Sequence, residues 1–141
     1  MPFEIAVTED PGKEVISSLA KHLEHFNEIQ SGYPNHFRQL AVLVSDSSTN
    51  EIVGGLWGQT AMSFLNIYLL YLPEDLRGNG LGQQLMARAE EEAVRRGCCG
   101  SWLDTFSFQA PSFYERLGYT VVGSIENFPP GHTRYFMKKT L

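Results

Sequence analysis

RGNGLG, residues 77–82, lies between an apolar run at residues 64–72 and a helical pattern at residues 83–96. Glycines between a strand and a helix let backbone N–H groups approach an anion closely, because no Cβ stands in the way. The positive end of the helix dipole acts at the same place, and Arg77 adds a full charge. The stretch therefore predicts a phosphate-binding turn between a strand and a helix.

Length and composition predict a single globular domain spanning residues 1–141, with 43% hydrophobic and 19% charged residues. The net charge of −5 argues against a general nucleic-acid binder. No apolar run reaches the roughly 18–20 residues that a membrane span needs, and the N-terminus lacks the pattern of a signal peptide. The two cysteines, Cys98 and Cys99, are adjacent, which suits neither a structural disulfide nor a zinc site. We expect a cytoplasmic protein without a metal or a membrane partner.

The pattern of apolar residues and breakers predicts alternating strands and helices. A first helix is expected to begin at Asp10-Pro11, as N-cap and first helical residue, and to end near residue 28. A short helix or loop follows a breaker cluster at residues 31–35. The other predicted helices are residues 81–96 and 110–117, and the predicted strands are residues 3–7, 40–44, 52–58, 64–72, 102–105, 120–125 and 134–137. This order indicates an α/β domain with a mixed sheet.

The glycine turn does not match the two best-known phosphate loops. No Gly-Lys-Ser/Thr follows at the spacing of a Walker A loop. The spacing Gly78-x-Gly80-x-Gly82 also differs from the G-x-G-x-x-G of a dinucleotide-binding fold. From composition alone, a flexible strand-to-helix turn remains an alternative.

Two motifs carry a resemblance to a known family. Arg77-x-x-Gly80-x-Gly82 matches the Q/R-x-x-G-x-G/A signature of the GNAT superfamily of acyl-CoA-dependent N-acetyltransferases, and APSFYERLGY at residues 110–119 resembles the family run A-x-x-x-Y-E-K-L-G-F. The resemblance extends over nearly the whole chain. It implies a single-domain GNAT-like α/β fold with about four helices. The implied sheet is mixed, mostly antiparallel and seven-stranded, and it splays open after the fourth strand, often beside a bulge.

The resemblance also implies acetyl-CoA as the co-substrate. Its pantetheine arm would pair with the backbone of Leu70, Tyr71 and Leu72, and its pyrophosphate would lie on the turn. The family often carries an Asn three residues before the motif alanine, where this chain has Ser107, so Ser107 or Gln109 would replace that contact. The remaining cofactor-binding candidates are Arg77, Gly78, Asn79, Gly80, Leu81, Gly82, Gln83 and Phe113.

The same resemblance assigns chemistry to Tyr114. A phenol with a pKa of about 10 can give a proton to the departing thiolate when an amine attacks the thioester. A backbone N–H near Leu70 or Leu72 would stabilise the developing oxyanion. The base that takes the amine proton stays open. The candidates are Asp104, a water held by Tyr68 or Asn66, and Glu28.

The acceptor amine is expected between residues 26–37 and 126–134, where the resemblance locates the acceptor cleft. The candidate acceptor-binding residues are Tyr33, Asn66, Tyr68 and His132. The acceptor is a small-molecule amine or a peptide. Members of the family are often dimers, but nothing in the sequence decides between a monomer and a homodimer. A non-catalytic acyl-CoA-binding module on the same fold is the alternative function. A nucleotide or phosphate-sugar binding domain is a third interpretation, which the motif spacing disfavours.

Overall fold

The structure is a computed structural model that describes residues 2–141. The chain divides into two compact units, one ending at Asn35 and the other spanning His36–Leu141. The first unit contains one helix, α1 (Lys13–Ser31). This helix ends at Gly32, whose left-handed backbone lets its N–H donate to the Glu28 carbonyl at 2.9 Å.

Two predictions for the first unit are wrong. The helix begins at Lys13 and not at Asp10-Pro11, because Gly12 has a φ of +80° and cannot be part of it. The segment at residues 32–37, predicted as a short helix or a loop, is a loop. Residues 3–7 form no strand. Their alternating pattern suits a strand, but a strand exists only when its backbone pairs with a neighbour.

The second unit is built on one mixed sheet of six strands in the order β1-β2-β3-β4-β6-β5. All neighbouring strands are antiparallel except β3 and β4, which are parallel. The predicted seven strands and about four helices thus become six strands and three α-helices, with one 3-10 turn at Glu74–Leu76. The elements are β1 (Arg38–Ser45), β2 (Ile52–Ala61), β3 (Phe64–Tyr71), α2 (Leu81–Arg95), β4 (Gly100–Phe106), α3 (Pro111–Arg116), β5 (Thr120–Glu126) and β6 (Thr133–Thr140).

Helix α2 covers one face of this sheet. Its inward positions follow the helical repeat, and they are the buried residues Leu85, Met86, Ala89 and Ala93. The two alanines are completely buried, and their small size lets the helix axis approach the strands closely. The buried strand residues of the same hydrophobic core are Leu40, Leu56, Leu65, Ile67, Leu103 and Met137. This packing fixes the position of the N-terminus of α2.

The sheet opens between its two parallel strands. Strand β3 pairs with β4 only from Phe64–Gly100 to Ile67–Leu103. At the same level the register of β3 against β2 shifts, and Tyr68 is left as an extra residue, which makes a β-bulge. Beyond this point β3 stays paired with β2 while β4 stays paired with β6. The opening therefore lies between β3, which is the fourth predicted strand, and β4, as the resemblance implied.

Within residues 2–141, none of the helices combines the length and the apolar character that crossing a membrane requires.

Candidate active site

The N-terminus of α2 presents unpaired backbone N–H groups. Gly80 is its N-cap residue, and no side chain caps the helix. The first intrahelical bond runs from Gln84 N to Gly80 O at 3.0 Å. The N–H groups of Leu81, Gly82 and Gln83 therefore have no acceptor within the helix. Together with the helix dipole, they form a binding place for an anion such as a phosphate.

The three glycines of the turn have different physical roles. Gly78 and Gly80 have φ values of +79° and +80°, a region that L-residues adopt only at a cost, and a Cβ on either would meet open space. Gly82 has an ordinary helical backbone, but a Cβ there would lie 3.2 Å from the Phe113 ring. The first two glycines thus shape the turn, and the third allows α2 to pack against α3.

Arg77 ties the turn to the end of β3. Its Nε donates to the Leu72 carbonyl at 2.8 Å, and its backbone N–H donates to the Glu74 carbonyl at 3.2 Å. The other guanidinium N–H groups remain available as donors. The predicted charge-assisted contact between Arg77 and a phosphate stays a prediction.

Tyr114 lies on α3 beside the same glycine turn. Its ring packs edge-on against Phe113, with ring centroids 5.1 Å apart, and Phe113 in turn contacts Gly82. Its carbonyl accepts from the N–H groups of Leu117 and Tyr119, both at 3.0 Å. Burial raises the pKa of the Tyr114 phenol above its ordinary value, and the charge of Asp104 raises it further. The phenol is therefore neutral and carries a transferable proton at physiological pH.

Asp104 is held in an ion pair that the sequence did not indicate. Arg134 on β6 directs both Nε, at 2.8 Å, and Nη2, at 2.7 Å, to Oδ1 of Asp104. The guanidinium also lies over the rings of Phe106, Phe128 and Phe136, at 5.3, 4.9 and 5.5 Å from their centroids. The hydrogen bond to Asp104 raises the pKa of Arg134. A base function of Asp104 stays a prediction, and any amine would compete with Arg134 for the carboxylate.

Ser107 and Gln109 have local partners. The Ser107 hydroxyl oxygen accepts from the Thr133 N–H at 3.1 Å. The Gln109 Oε1 accepts from the Phe106 N–H at 2.9 Å and lies 3.3 Å from the Thr105 hydroxyl. Their side-chain oxygens therefore stabilise the end of β4. The Ser107 O–H and the Gln109 side-chain NH₂ are the donors that a contact with a cofactor would use.

The predicted acceptor-binding residues fall in both units. In the second unit, Asn66 and Tyr68 lie on β3, where the Tyr68 ring packs in a tilted arrangement against Trp57, with ring centroids 4.8 Å apart. His132 lies in the β5–β6 hairpin, where its ring packs edge-on against Phe108, with ring centroids 4.9 Å apart. Tyr33 and the base candidate Glu28 belong to the first unit, where Glu28 accepts from the Asn35 N–H at 3.0 Å.

The structure contains a second polar cluster that the sequence did not predict. The hydroxyl of Tyr119 lies 2.8 Å from Ser101 Oγ and 3.0 Å from Glu90 Oε2, and Lys139 Nζ lies 2.6 Å from Glu90 Oε1. We call these four residues the Tyr119 network. Its members come from different elements and are separated by up to 49 positions, so no local pattern could have found it. In the described part of the chain, no three His, Cys, Asp or Glu side chains are grouped as metal ligands.

A mixed sheet that opens beside the N-terminus of a helix, with a glycine turn before that helix, defines the GNAT class of fold. Comparison with known proteins leads to the same class. Residues 9–119 match the model of the acetyltransferase (GNAT) family. The chain therefore belongs to this family.

Individual relatives show the same affiliation. The chain is 45% identical over 92 residues to the blasticidin-S acetyltransferase of Streptomyces morookaense. The aligned region covers 64% of this chain and 68% of that protein. A crystal structure from Agrobacterium tumefaciens is 32% identical, with a TM-score of 0.90 over 99% of this chain and 100% of the other. A Bacillus anthracis structure solved in complex with acetyl coenzyme A is 19% identical and has a TM-score of 0.65. The superposed region covers 79% of this chain and 67% of the Bacillus anthracis chain. That last likeness shows the fold alone.

Proposed function

We propose that this protein moves an acetyl group from acetyl-CoA to a primary amine by direct attack. The observation that carries the proposal is the sheet opening beside three unpaired N–H groups at the start of α2. An extended, amide-containing arm can pair with strand backbone in such an opening, and a pyrophosphate can accept from N–H groups at its mouth. In acetyl-CoA, an extended amide-containing arm joins the thioester to a pyrophosphate. This donor would use the sheet opening for its arm and the N–H groups of α2 for its pyrophosphate.

The residues that would bind the donor form a continuous path. Leu70, Tyr71 and Leu72 follow the bulge and would pair with the pantetheine arm. The N–H groups of residues 81–83 would bind the pyrophosphate, and Arg77 would contribute charge while it holds the Leu72 carbonyl. Ser107, Gln109 and Phe113 would contact the arm from the side of β4 and α3.

The chemistry follows from a neutral phenol at the end of that path. The amine nitrogen attacks the thioester carbonyl carbon, the C–S bond breaks, and its electron pair goes to sulfur. Tyr114 donates its proton to that sulfur, while a β3 backbone N–H near Leu70 or Leu72 stabilises the carbonyl oxygen. The proton leaving the amine goes to Asp104 or to a water held by Asn66 or Tyr68. Cys98 and Cys99 have no part in this scheme, because no covalent enzyme intermediate forms.

The acceptor class is a small-molecule amine or a peptide amine. The similarity to an acetyltransferase that acts on blasticidin S supports a small molecule. His132 is the acceptor contact that we propose in addition to Asn66 and Tyr68. A cytoplasmic location and a homodimer remain part of the proposal.

A thermal-shift titration with acetyl-CoA, CoA and ATP tests the donor assignment. A ligand at 100 times its Kd stabilises a protein by about 2.7 kcal/mol, so acetyl-CoA and CoA should each raise Tm by several degrees. ATP should do so less, because it lacks the pantetheine arm. Stabilisation by ATP but not by CoA would exclude the acetyltransferase proposal. Binding of acetyl-CoA without transfer to any amine would instead favour the non-catalytic module.

A further inference from the structure

The Tyr119 network combines two buried residues, Tyr119 and Ser101, with the half-buried Glu90 and Lys139, and its hydrogen bonds have one consistent order. Tyr119 is 2% exposed and Ser101 is completely buried. Burial first, and Glu90 in addition, raise the pKa of the Tyr119 phenol, so it keeps its single proton. Since a carboxylate only accepts, that proton goes to Glu90, and the phenol oxygen accepts from the Ser101 hydroxyl. Lys139 holds the other oxygen of Glu90 and lies 5.8 Å from the centroid of the Tyr119 ring.

Tyr119 contacts Tyr114 in two ways. Its N–H donates to the Tyr114 carbonyl at 3.0 Å, and its ring meets the Tyr114 ring edge-on with centroids 6.1 Å apart. Among residues 2–141 the hydroxyl of Tyr114 has no hydrogen-bond partner, so packing and backbone contacts alone orient this side chain. Helix α3 is only six residues long and has no side-chain cap. Such a short helix depends on its neighbours for a fixed position.

We infer that Tyr119 is the positioning residue for Tyr114, and that Ser101, Glu90 and Lys139 anchor it. The network ties Tyr119 to β4 through Ser101, to α2 through Glu90 and to β6 through Lys139. Helix α2 also begins at the glycine turn. The network therefore connects the orientation of the phenol to the element that would bind the pyrophosphate. A misplacement of about 1 Å can cost a catalytic group much of its effect. This inference rests on the proposed acid function of Tyr114.

A double-mutant cycle between Tyr114→Phe and Tyr119→Phe tests the inference. In the wild-type background, we expect Tyr119→Phe to lower kcat about five- to tenfold while KM for acetyl-CoA changes less than about twofold. In the Tyr114→Phe background, the same change should have almost no effect on kcat, because the group it positions is gone. Ser101→Ala should repeat this pattern with a smaller loss, and it keeps the Tyr119 ring.

The cycle separates the possible failures. If Tyr114→Phe lowers kcat but Tyr119→Phe lowers it equally in both backgrounds, Tyr119 has a structural effect only and the positioning inference is wrong. If Tyr114→Phe leaves kcat unchanged, the acid assignment fails and the positioning inference fails with it. Tm and acetyl-CoA affinity are measured for every variant. Loss of acetyl-CoA affinity in Tyr119→Phe and Ser101→Ala alike would also contradict the inference.

Discussion

Replacing Tyr114 with Phe should lower kcat by about 10²–10⁴-fold, the range that one general acid contributes. KM for acetyl-CoA should change by less than about twofold, because phenylalanine keeps the edge-on packing against Phe113 and Tyr119. The measurement is thiol release at saturating acetyl-CoA with a good amine. The Tyr135→Phe variant is the matched control, since it removes a phenol from β6 to which no step is assigned, and it should keep normal kcat. Full activity of Tyr114→Phe would show that the acid is another group.

The pH profile of the wild-type protein gives a second readout of the same phenol. The pKa of Tyr114 is raised above 10.0, by burial first and by Asp104 second. A phenol is protonated below its pKa, so the acid form persists up to about pH 10 and is lost only above it. The rate should rise with pH as the amine deprotonates, and it should not fall again below about pH 10. A fall centred near neutral pH would mean that the essential acid is not Tyr114.

Replacing Gly80 with Leu should weaken acetyl-CoA binding by about 10- to 100-fold, or roughly 1.4–2.7 kcal/mol. Gly80 has a φ of +80°, and its side chain would stand beside the N–H groups that the pyrophosphate needs. The loss should appear in the Kd measured by calorimetry. It should also appear with CoA, which carries the same pyrophosphate.

Gly97→Leu is the matched control for this substitution. Gly97 follows the opposite end of α2, has a φ of +87°, and has nothing within 4 Å of a Cβ position. Both variants should therefore lose similar stability, about 1–2 kcal/mol from the left-handed backbone. Only Gly80→Leu should lose affinity. Equal affinities in the two variants would contradict the pyrophosphate site.

Much of the second unit could be predicted because its signals are local. The glycine turn at residues 77–82, the long apolar strand before it and the periodic helix after it are all contiguous in sequence. The structure confirms a strand, a turn and a helix in these places. The identification as a GNAT acetyltransferase, made from two short motifs, is also confirmed.

The errors arise where structure depends on distant partners. Residues 3–7 have the alternation of a strand, but alternation does not supply the second strand that pairing needs. The start of α1 is a different kind of error, because Asp10-Pro11 is a good local helix start but the adjacent left-handed Gly12 delays the helix to Lys13. The Asp104–Arg134 ion pair joins residues that are 30 positions apart. The sequence around Asp104 therefore did not show that its carboxylate has a cationic partner.

The acceptor is the part of the site that the sequence defines least. The donor side depends on backbone geometry, which glycines and helix termini reveal directly. The acceptor side depends on side chains from separate segments, such as Tyr68 and His132, whose combined chemistry no motif encodes. Their functions remain predictions.

Thiol release from acetyl-CoA across a panel of primary amines, with mass spectrometry of the products, tests the central claim most directly. The panel should contain small-molecule amines, including blasticidin S, and peptides with free N-termini. We expect amine-dependent thiol release and an N-acetylated product for at least one amine, with both abolished or strongly reduced in Tyr114→Phe. Tight binding of acetyl-CoA without amine-dependent release from any acceptor would contradict the account.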